Sequence, residues 1–376
     1  MARVRSRKRQ VHIKANGGKA LYEIFKSYYG LRPPLMLPDD LESREFAFQP
    51  WGSSSYVRHL SFKSVDEIYE YLAAKVPLHA YYSLARYELP EAPSMEEKGF
   101  RGADLMFDID ADHLEGCTSI KVIDDYCIRA AGEAADRLVR ILKRDFDISS
   151  VMVYFTGHRG FHIIASCEYC YYLTKEERAE IARYIAAEDL QVDMIIPTSP
   201  GNEPLVPSPE DPGWRGWLGR ELMRRVDAVL LKDNKARRGR LQPTLKDALG
   251  SKWRERIVET IRRISVPIDM QVTQDTSRLV RIPGSLNGKT GLIVTPVEDP
   301  LQFRLSREVS PIRGEAVVKF QEDVEIDSLM GKSLSFKAGE EASVEAGIAL
   351  ILASKGLVDF VEVHGVVETH PRWRAL

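Results

Sequence analysis

The stretch Asp104-Leu105-Met106-Phe107-Asp108-Ile109-Asp110 has the alternating pattern of a half-buried β-strand. Because successive side chains of a strand point to opposite faces, the apolar residues at 105, 107 and 109 share one face, and Asp108 and Asp110 share the other. Two adjacent carboxylates repel each other, and a hard divalent cation such as Mg²⁺ or Mn²⁺ relieves that repulsion. The pattern predicts a metal-binding strand; the alternative is a polar face that only contacts solvent.

The sequence around this strand alternates between strand-like and helix-like segments. The predicted strands lie within 43–62 and over 104–110, 151–155 and 161–166. The predicted helices lie over 64–75, 121–144 and 174–187, the first and last beginning at capping boxes. This order predicts an α/β (α+β) fold with a mixed β-sheet.

A proline-rich stretch interrupts this pattern. The density of prolines over 197–212 excludes a helix or a central strand there. Helical patterns over 215–232 and 244–262 follow, around a basic patch at 232–240, and strand-like sequence returns over 266–282 and 290–296. The predicted divisions are a basic N-terminal arm with a first helix (1–35), a first part of the core (36–196), a Pro-rich loop with a helical insertion (197–262), and a second part of the core with a C-terminal segment (263–376).

Composition narrows the class of protein. The chain of 376 residues carries 53 basic and 55 acidic residues, which excludes a protein that binds nucleic acid by bulk charge but leaves room for a local basic groove. Residues 1–32 are strongly basic, which fits either a solvated terminus or an arm that binds nucleic acid or a partner. Four cysteines are too few for a disulfide scaffold and fit a reducing cytosol. The longest apolar run, 346–353, is too short to span a bilayer, so a cytosolic protein with no membrane partner is expected.

A second cluster is the glycine-rich turn Thr156-Gly157-His158-Arg159-Gly160-Phe161-His162. Glycine allows the backbone to approach a ligand closely, and an arginine guanidinium matches the oxygens of a phosphate. A hydroxyl, an arginine and a histidine on such a turn suit a polyphosphate, although glycine-rich hairpins are common without one.

A third cluster begins at Ile268-Asp269-Met270, where apolar neighbours predict that the carboxylate faces away from the core. Arg281 and Lys289 flank a predicted turn at Asn287-Gly288, and both can reach a phosphate. The Gly288-Lys289-Thr290 sequence lacks the context of a P-loop. Together the three clusters supply the carboxylates and cations of two-metal nucleotidyl transfer.

In this order and spacing, the motifs resemble those of the catalytic (small) subunit of archaeal and eukaryotic DNA primase, over roughly residues 20–355. The matching segments are Arg44-Glu45-Phe46-Ala47-Phe48, Tyr56-Val57-Arg58, Phe107-Asp108-Ile109-Asp110, the turn 156–162, and Asp269 with Arg281, Ser285 and Lys289. The resemblance implies a mixed-sheet primase core flanked by helices, with the insertion described above.

The resemblance also implies roles for individual residues. The metal-binding triad for Mg²⁺ or Mn²⁺ would be Asp108, Asp110 and Asp269. The residues that bind the nucleotide and its phosphates would be Thr156, Arg159, His162, Arg281, Asn287 and Lys289. The residues that line the active site, or contact nucleotide and template, would be Glu45, Tyr56 and Arg58.

The sequence departs from the family pattern at three places. Thr156 replaces a serine and keeps the hydroxyl, whereas Asn287 replaces a histidine and cannot be cationic. The family also carries a four-ligand zinc stem after the Asp-x-Asp strand, where this chain offers only His113, Cys117 and Cys127. Either zinc is lost, or the two cysteines recruit another ligand such as His113, Asp124 or the pair at 167 and 170; the alternative is four buried thiols.

The hypothesis that follows is a DNA primase catalytic subunit. It would make short RNA primers, and also DNA primers, on single-stranded DNA from nucleoside triphosphates during replication. The resemblance implies a primase large subunit and the replication machinery as partners, and a cytoplasmic location for an archaeal-type protein or a nuclear one for a eukaryotic protein. The alternatives are a gap-filling or end-extending polymerase of the same superfamily, and a non-catalytic nucleic-acid-binding subunit.

Overall fold

A computed structural model describes residues 6–14, 17–118, 121–230 and 243–369. The strands in chain order are β1 (Lys8–Ile13), β2 (Phe46–Gln49), β3 (Val57–Leu60), β4 (His79–Ser83), β5 (Ala85–Tyr87), β6 (Phe100–Ala103), β7 (Leu105–Asp110), β8 (Ser150–Phe155), β9 (Gly160–Ser166), β10 (Leu279–Arg281), β11 (Thr295–Pro296), β12 (Ile312–Phe320), β13 (Val324–Leu329), β14 (Lys332–Phe336), β15 (Glu341–Glu345) and β16 (Val358–Glu368). The basic patch predicted at 232–240, and the start of the N-terminal arm, lie outside the described residues.

Helices flank these strands, as the α/β prediction requires. They are α1 (Gly17–Gly30), α2 (Val65–Lys75), α3 (Asp125–Asp145), α4 (Lys175–Ala186), α5 (Val192–Ile195), α6 (Gly213–Leu230), α7 (Leu245–Leu249), α8 (Trp253–Ile264), α9 (Met270–Gln274) and α10 (Ala346–Ser354). The structure therefore confirms the mixed fold class. Among the described residues, no helix combines the length and the apolar character that crossing a membrane requires.

The sheet that carries the first two aspartates has the strand order β11-β8-β9-β7. All of its pairs are antiparallel, and the register places Asp108 opposite His162 and Asp110 opposite Gly160. Helix α3 packs against β7, β8 and β9 through its buried apolar stripe, which includes Ile128 and Leu138. This packing covers the apolar face of the aspartate strand, and Asp108 and Asp110 lie on the opposite face.

A second sheet, ordered β10-β4-β2-β3, brings other predicted residues toward the same region. The predicted strand-turn-strand over 43–62 is confirmed as β2 and β3. Strand β10 pairs with β4 and places Arg281 opposite Tyr81. Glu45 immediately precedes β2, and Arg58 lies on β3.

The third sheet, ordered β1-β16-β12-β15, joins the two ends of the described chain. Helix α10 is buried along most of its length and packs against β12, β16 and α1. The apolar run 346–353 thus belongs to a core helix.

The region after the proline-rich stretch has a small core of its own. Ile196, Trp214, Leu218 and Ile257 belong to an apolar cluster distinct from the main one. The prolines over 197–212 lie in the connection between α5 and α6, outside any helix or named strand. The division of the chain at 197 and 262 remains a prediction.

Helix starts agree well with the local sequence signals. Thr174 and Glu177 form a complete capping box at the start of α4. At α2, the Ser64 side chain accepts the N–H of Glu67, but the Glu67 carboxylate accepts the N–H of Lys63 rather than that of Ser64. The N-cap was therefore predictable, while the partner of the glutamate differs by one residue.

The strand predicted over 266–282 is largely wrong. Asp269 is the N-cap of α9, and its carboxylate accepts the N–H of Gln271 at 3.0 Å. Only Leu279–Arg281 forms a strand in this range. The alternation around Asp269 resembled a strand because a short helix with one buried face gives few residues from which to judge the period.

Both predictions for the cysteines, a zinc site and the alternative of four buried thiols, are corrected. Cys117 and Cys127 are joined by a disulfide with a Cα–Cα distance of 5.7 Å, and Cys167 is joined to Cys170. Because zinc is bound by a thiolate, the bonded sulfurs of Cys117 and Cys127 cannot act with His113 as the predicted zinc ligands. Sequence spacing alone could not distinguish thiols from a disulfide, since the pairing depends on spatial proximity.

Candidate active site

The three predicted metal ligands lie in one neighbourhood around β7. Asp108 and Asp110 lie on one face of this strand, and the N–H of Asp269 donates a hydrogen bond to the carbonyl oxygen of Asp108 at 3.2 Å. Burial, the neighbouring Asp110 and the nearby Asp269 raise the pKa of Asp108 to about 6, although Arg278 and Arg281 oppose the rise. The structure thus concentrates negative charge from two distant parts of the chain.

His162 faces this carboxylate group from β9. Its Nε2 lies 3.8 Å from an oxygen of Asp108. Burial, together with Arg281 and Arg278, lowers the pKa of His162 to about 3, so the ring is neutral at pH 7. Its Nδ1 is buried and has no hydrogen-bond partner within the described ranges of the chain.

Arg159 links the glycine-rich turn to the aspartate strand. Its Nε lies 2.9 Å from Asp110, and its guanidinium also pairs with Asp112. The side chain remains partly exposed. The arginine is therefore positioned by carboxylates while keeping surface available to another anion.

Two glycines allow the turn to sit this close to its neighbours. Gly157 has φ +73°, and a Cβ there would lie 3.0 Å from the carbonyl oxygen of Leu292. A Cβ on Gly160 would collide with the carbonyl oxygen of Ile109 on the adjacent strand. The glycines predicted for phosphate approach are thus also required for packing against the aspartate strand.

Asn287 lies behind the site rather than on its surface. The side chain is fully buried; its Nδ2 donates to the carbonyl oxygen of Thr156 at 2.8 Å, and its Oδ1 accepts the N–H of Lys289 at 2.9 Å. The Thr156 hydroxyl, itself almost buried, accepts the N–H of His158 at 3.3 Å. Asn287 thereby links the glycine-rich turn to the loop that carries Lys289, and the predicted contact of Thr156 and Asn287 with phosphate stays a prediction.

Arg281 is anchored by residues that sequence reasoning did not single out. Its Nη1 lies 3.2 Å from His79 Nδ1 and also donates to the hydroxyl of Tyr81. The N–H of Gly288 donates to the same His79 nitrogen at 3.3 Å. Burial, Arg281 and Lys289 lower the pKa of His79 to about 3, which keeps that nitrogen an acceptor.

A further cation reaches the site from the C-terminal part of the chain. Lys355, at the end of α10, places its Nζ 2.6 Å from His158 Nε2. Burial lowers the pKa of Lys355, and so do Arg159 and Lys289. Burial and Lys355 in turn lower the pKa of His158 to about 2. No local signal in the sequence pointed to Lys355, because its role depends on how α10 packs.

These residues form a cationic cluster, defined here as Arg159, Arg281, Lys289 and Lys355. The pKa of His158 is lowered in part by all four members, which places them around one point. Within the described ranges, Arg159 is the only member of the cluster with a carboxylate at ion-pair distance, and Asp110 and Asp112 act on Lys355 only from farther away. Such unpaired positive charge favours a polyanionic ligand.

The residues predicted to line the site divide into exposed and buried ones. Glu45 is fully buried and accepts hydrogen bonds from Arg58 Nε at 2.9 Å and from the N–H of His59, while Lys98 Nζ lies 3.3 Å away. Tyr56 is exposed and packs edge-on against Tyr81, the residue that also contacts Arg281. Arg58 and Tyr56 are thus accessible, whereas Glu45 acts only through the groups that it holds.

Comparison with known proteins identifies the relatives of this chain. The family described as DNA primase small subunit matches residues 107–299, a range that contains all three aspartates. The chain is 42% identical over 369 residues to the DNA primase small subunit PriS of Aeropyrum pernix, covering 97% of this chain and 100% of that protein. It is 33% identical over 386 residues to PriS of Sulfolobus acidocaldarius, covering 96% of this chain and 100% of that protein.

A more distant likeness is seen among solved structures. The polymerase domain of Mycobacterium tuberculosis Ligase D in complex with DNA aligns with a TM-score of 0.38 and 11% identity, covering 77% of this chain and 85% of that chain. This similarity is too low to carry an argument about function.

Proposed function

Because the chain belongs to the DNA primase small subunit family, it is a DNA primase catalytic subunit and a nucleotidyltransferase that binds single-stranded DNA and nucleoside triphosphates, and we propose that Asp108, Asp110 and Asp269 form its catalytic centre. The observation that carries this proposal is the convergence of the three carboxylates beside the cationic cluster.

The donor set fits a hard divalent cation. All three groups are carboxylates, and the pKa of Asp108 is raised by burial and by its two acidic neighbours, a cost that a bound cation would offset. Family membership implies a divalent metal, and Mg²⁺ or Mn²⁺ is the finer proposal. When bound, such ions activate the attacking hydroxyl and neutralise charge on the phosphates.

The cationic cluster is the proposed site for the triphosphate. Lys289 and Lys355 provide ammonium groups without carboxylate partners, and Arg159 offers a guanidinium already oriented by Asp110 and Asp112. Neutral His162 is suited to donate or accept a hydrogen bond beside the proposed metal-binding carboxylates. These side chains would hold the phosphates in line with Asp108 and its neighbours.

The remaining predicted residues take supporting or peripheral roles. Thr156 and Asn287 would set the distance between the glycine-rich turn and the loop that carries Lys289. Tyr56 is exposed and packs on Tyr81, which also contacts Arg281, and Arg58 follows it on β3 with its side chain partly exposed, so we assign both to the base or template side of the substrate. Glu45 would fix Arg58 in its orientation.

The products and partners are also proposals. The chain would make short RNA primers, and DNA primers as a second product, during replication. A primase large subunit would form a heterodimer with it and connect it to the replication machinery. A cytoplasmic location remains a prediction for this archaeal-type family.

The direct test is primer synthesis without any pre-existing primer. Purified chain would be incubated with single-stranded DNA, labelled ribo- and deoxyribonucleoside triphosphates, and Mg²⁺ or Mn²⁺. Asp108→Asn with Asp110→Asn is the inactive variant, and Glu115→Gln, an exposed carboxylate after β7, is the matched control. Primers from the wild type and the control, but not from the double variant, are expected.

Other outcomes separate the alternatives. Extension that requires an annealed primer indicates a gap-filling or end-extending polymerase. Template binding without incorporation, even after a large subunit is added, indicates a non-catalytic subunit. Full activity of the Asp108→Asn/Asp110→Asn variant contradicts the proposed centre.

A further inference from the structure

A cluster of metal-ligating side chains lies outside the proposed active site, on the strands at the two ends of the described chain. His12 on β1 is directly opposite His364 on β16 in the antiparallel register, and their ring centroids are 4.2 Å apart. Glu362 precedes His364 by two positions, so its side chain projects from the same face of the sheet. Two strands therefore present three side chains to one point.

The atoms that bind metals are close together in this cluster. Nε2 of His12 lies 2.6 Å from one carboxylate oxygen of Glu362, and Nε2 of His364 lies 3.1 Å from the other. One ligand atom from each residue falls within 4.8 Å of the other two. Ligands of a single transition-metal ion, at about 2.0–2.2 Å from it, have separations compatible with this range.

The surroundings of the cluster allow a cation to enter. Both histidine side chains are about half exposed, so a hydrated ion can reach them. In the described part of the chain, Lys14 is the one residue besides the two histidines that pairs with Glu362. Its Nζ lies 3.1 Å from the carboxylate. The Lys14 side chain is largely exposed and can rotate into solvent when a metal replaces it.

We propose that His12, Glu362 and His364 form a binding site for a divalent transition metal of the zinc type, bridging the first and last described strands. Two imidazoles and one carboxylate are a zinc-type donor set, with a fourth position left for water. Mg²⁺ prefers oxygen ligands, so this site discriminates against the ion proposed for the aspartate triad. The bound ion would fasten β1, an edge strand of its sheet, to β16.

This metal site is separate from the proposed catalytic centre, and two of the aspartates of that centre are replaced in the test. Zn²⁺ or Co²⁺ is titrated into the untagged full-length chain carrying Asp108→Asn and Asp110→Asn. Stoichiometry is measured by equilibrium dialysis, the coordination of Co²⁺ by its visible absorption, and the stabilisation by thermal unfolding. One equivalent of metal per chain, with a higher unfolding temperature, is expected because an ion that binds only the folded state stabilises it.

Two ligand variants and one matched control locate the site. His12→Gln and His364→Gln are each expected to weaken metal binding at least about tenfold. Even the loss of a residue that only supports a metal ligand costs about that much affinity. Lys14→Met removes the competing ammonium group and is expected to bind metal as well as, or more tightly than, the parent. Unfolding temperatures without metal verify that the variants keep the fold.

The proposal is overturned if no stoichiometric binding occurs. It is equally overturned if both histidine variants bind as tightly as the parent, or if binding is lost only when Cys117 and Cys127 are replaced by serine, which would return zinc to the cysteines.

Discussion

The backbone N–H of Asp269 donates a hydrogen bond to the backbone carbonyl oxygen of Asp108, with an N···O distance of 3.2 Å. This hydrogen bond connects the start of α9 to β7. The third carboxylate of the triad is therefore positioned by the backbone, while its side chain caps the helix that follows.

Asp269 caps α9 and is a proposed metal ligand, and substitution can separate the two roles. Asn can cap a helix as Asp does but carries no charge, whereas Ala does neither. We expect Asp269→Asn and Asp269→Ala both to abolish primer synthesis, while only Asp269→Ala lowers the free energy of unfolding, by about 1 kcal/mol. Urea unfolding and the primer assay measure the two effects. Wild-type activity of Asp269→Asn would remove this residue from the triad.

The raised pKa of Asp108 makes its ionised form a cost to the metal-free fold. The pKa of about 6 in the folded chain lies above the ordinary aspartate value of 3.8, so the cost is complete above about pH 6 and absent well below about pH 4. Asp108→Asn should stabilise the protein in EDTA at neutral pH by up to about 3 kcal/mol, since each pKa unit corresponds to about 1.4 kcal/mol. The gain should shrink as the pH falls from 6 to 4.

Unfolding by urea at neutral and acidic pH tests whether Asp108→Asn raises the free energy of unfolding as predicted. Glu115→Gln is the control, because it removes the charge of an exposed carboxylate that is not a member of the triad. Destabilisation by Asp108→Asn at neutral pH would show that the carboxylates do not repel one another in the folded chain.

Lys355 should contribute to nucleotide binding despite its distance from the aspartates in sequence. Its ammonium group contacts His158 and faces Arg159 and Lys289. Removing a charged hydrogen-bond donor costs about 1.5–3 kcal/mol, so Lys355→Met should raise the KM for nucleoside triphosphates roughly ten- to hundredfold, with a smaller change in kcat. Lys319→Met, on the exposed side of β12, is the control. An unchanged KM would exclude Lys355 from the triphosphate site.

Glu45 should matter chiefly for stability. It is fully buried and pairs with Lys98, which is also fully buried, so removal of its charge leaves an ammonium group without a counter-charge. Glu45→Gln should lower the free energy of unfolding by about 3–5 kcal/mol. The double variant Glu45→Met/Lys98→Met should recover much of this loss, because both charges are then absent. Equal stability of the single variant and the wild type would contradict the structural role.

Features set by short-range pattern could be predicted from the sequence. The alternation of Asp108 and Asp110 with apolar residues identified β7, and the capping residue Thr174 identified the start of α4. The family motifs predicted that the carboxylates and the glycine-rich turn belong to one site. Each of these signals lies within a few residues, where local geometry decides the structure.

Other features depend on packing between distant segments. Lys355 and His79 carry no motif, and they join the site only because α10 and β4 pack beside the glycine-rich turn and β10. Asn287 was assigned to phosphate binding by its position in a motif, yet burial turns its amide toward Thr156. Burial and tertiary contact, rather than residue type, decide these roles.

The pairing of β1 with β16 has a consequence for the order in which the chain folds during synthesis. Among the described strands, β1 has only β16 as a sheet neighbour, and β16 is made last. Strand β1 must therefore remain without its sheet partner until β16 has emerged from the ribosome, and closing so long a loop carries an entropic cost. A nascent chain stalled before residue 358 should expose β1 to proteases, whereas a chain that extends beyond β16 should protect it.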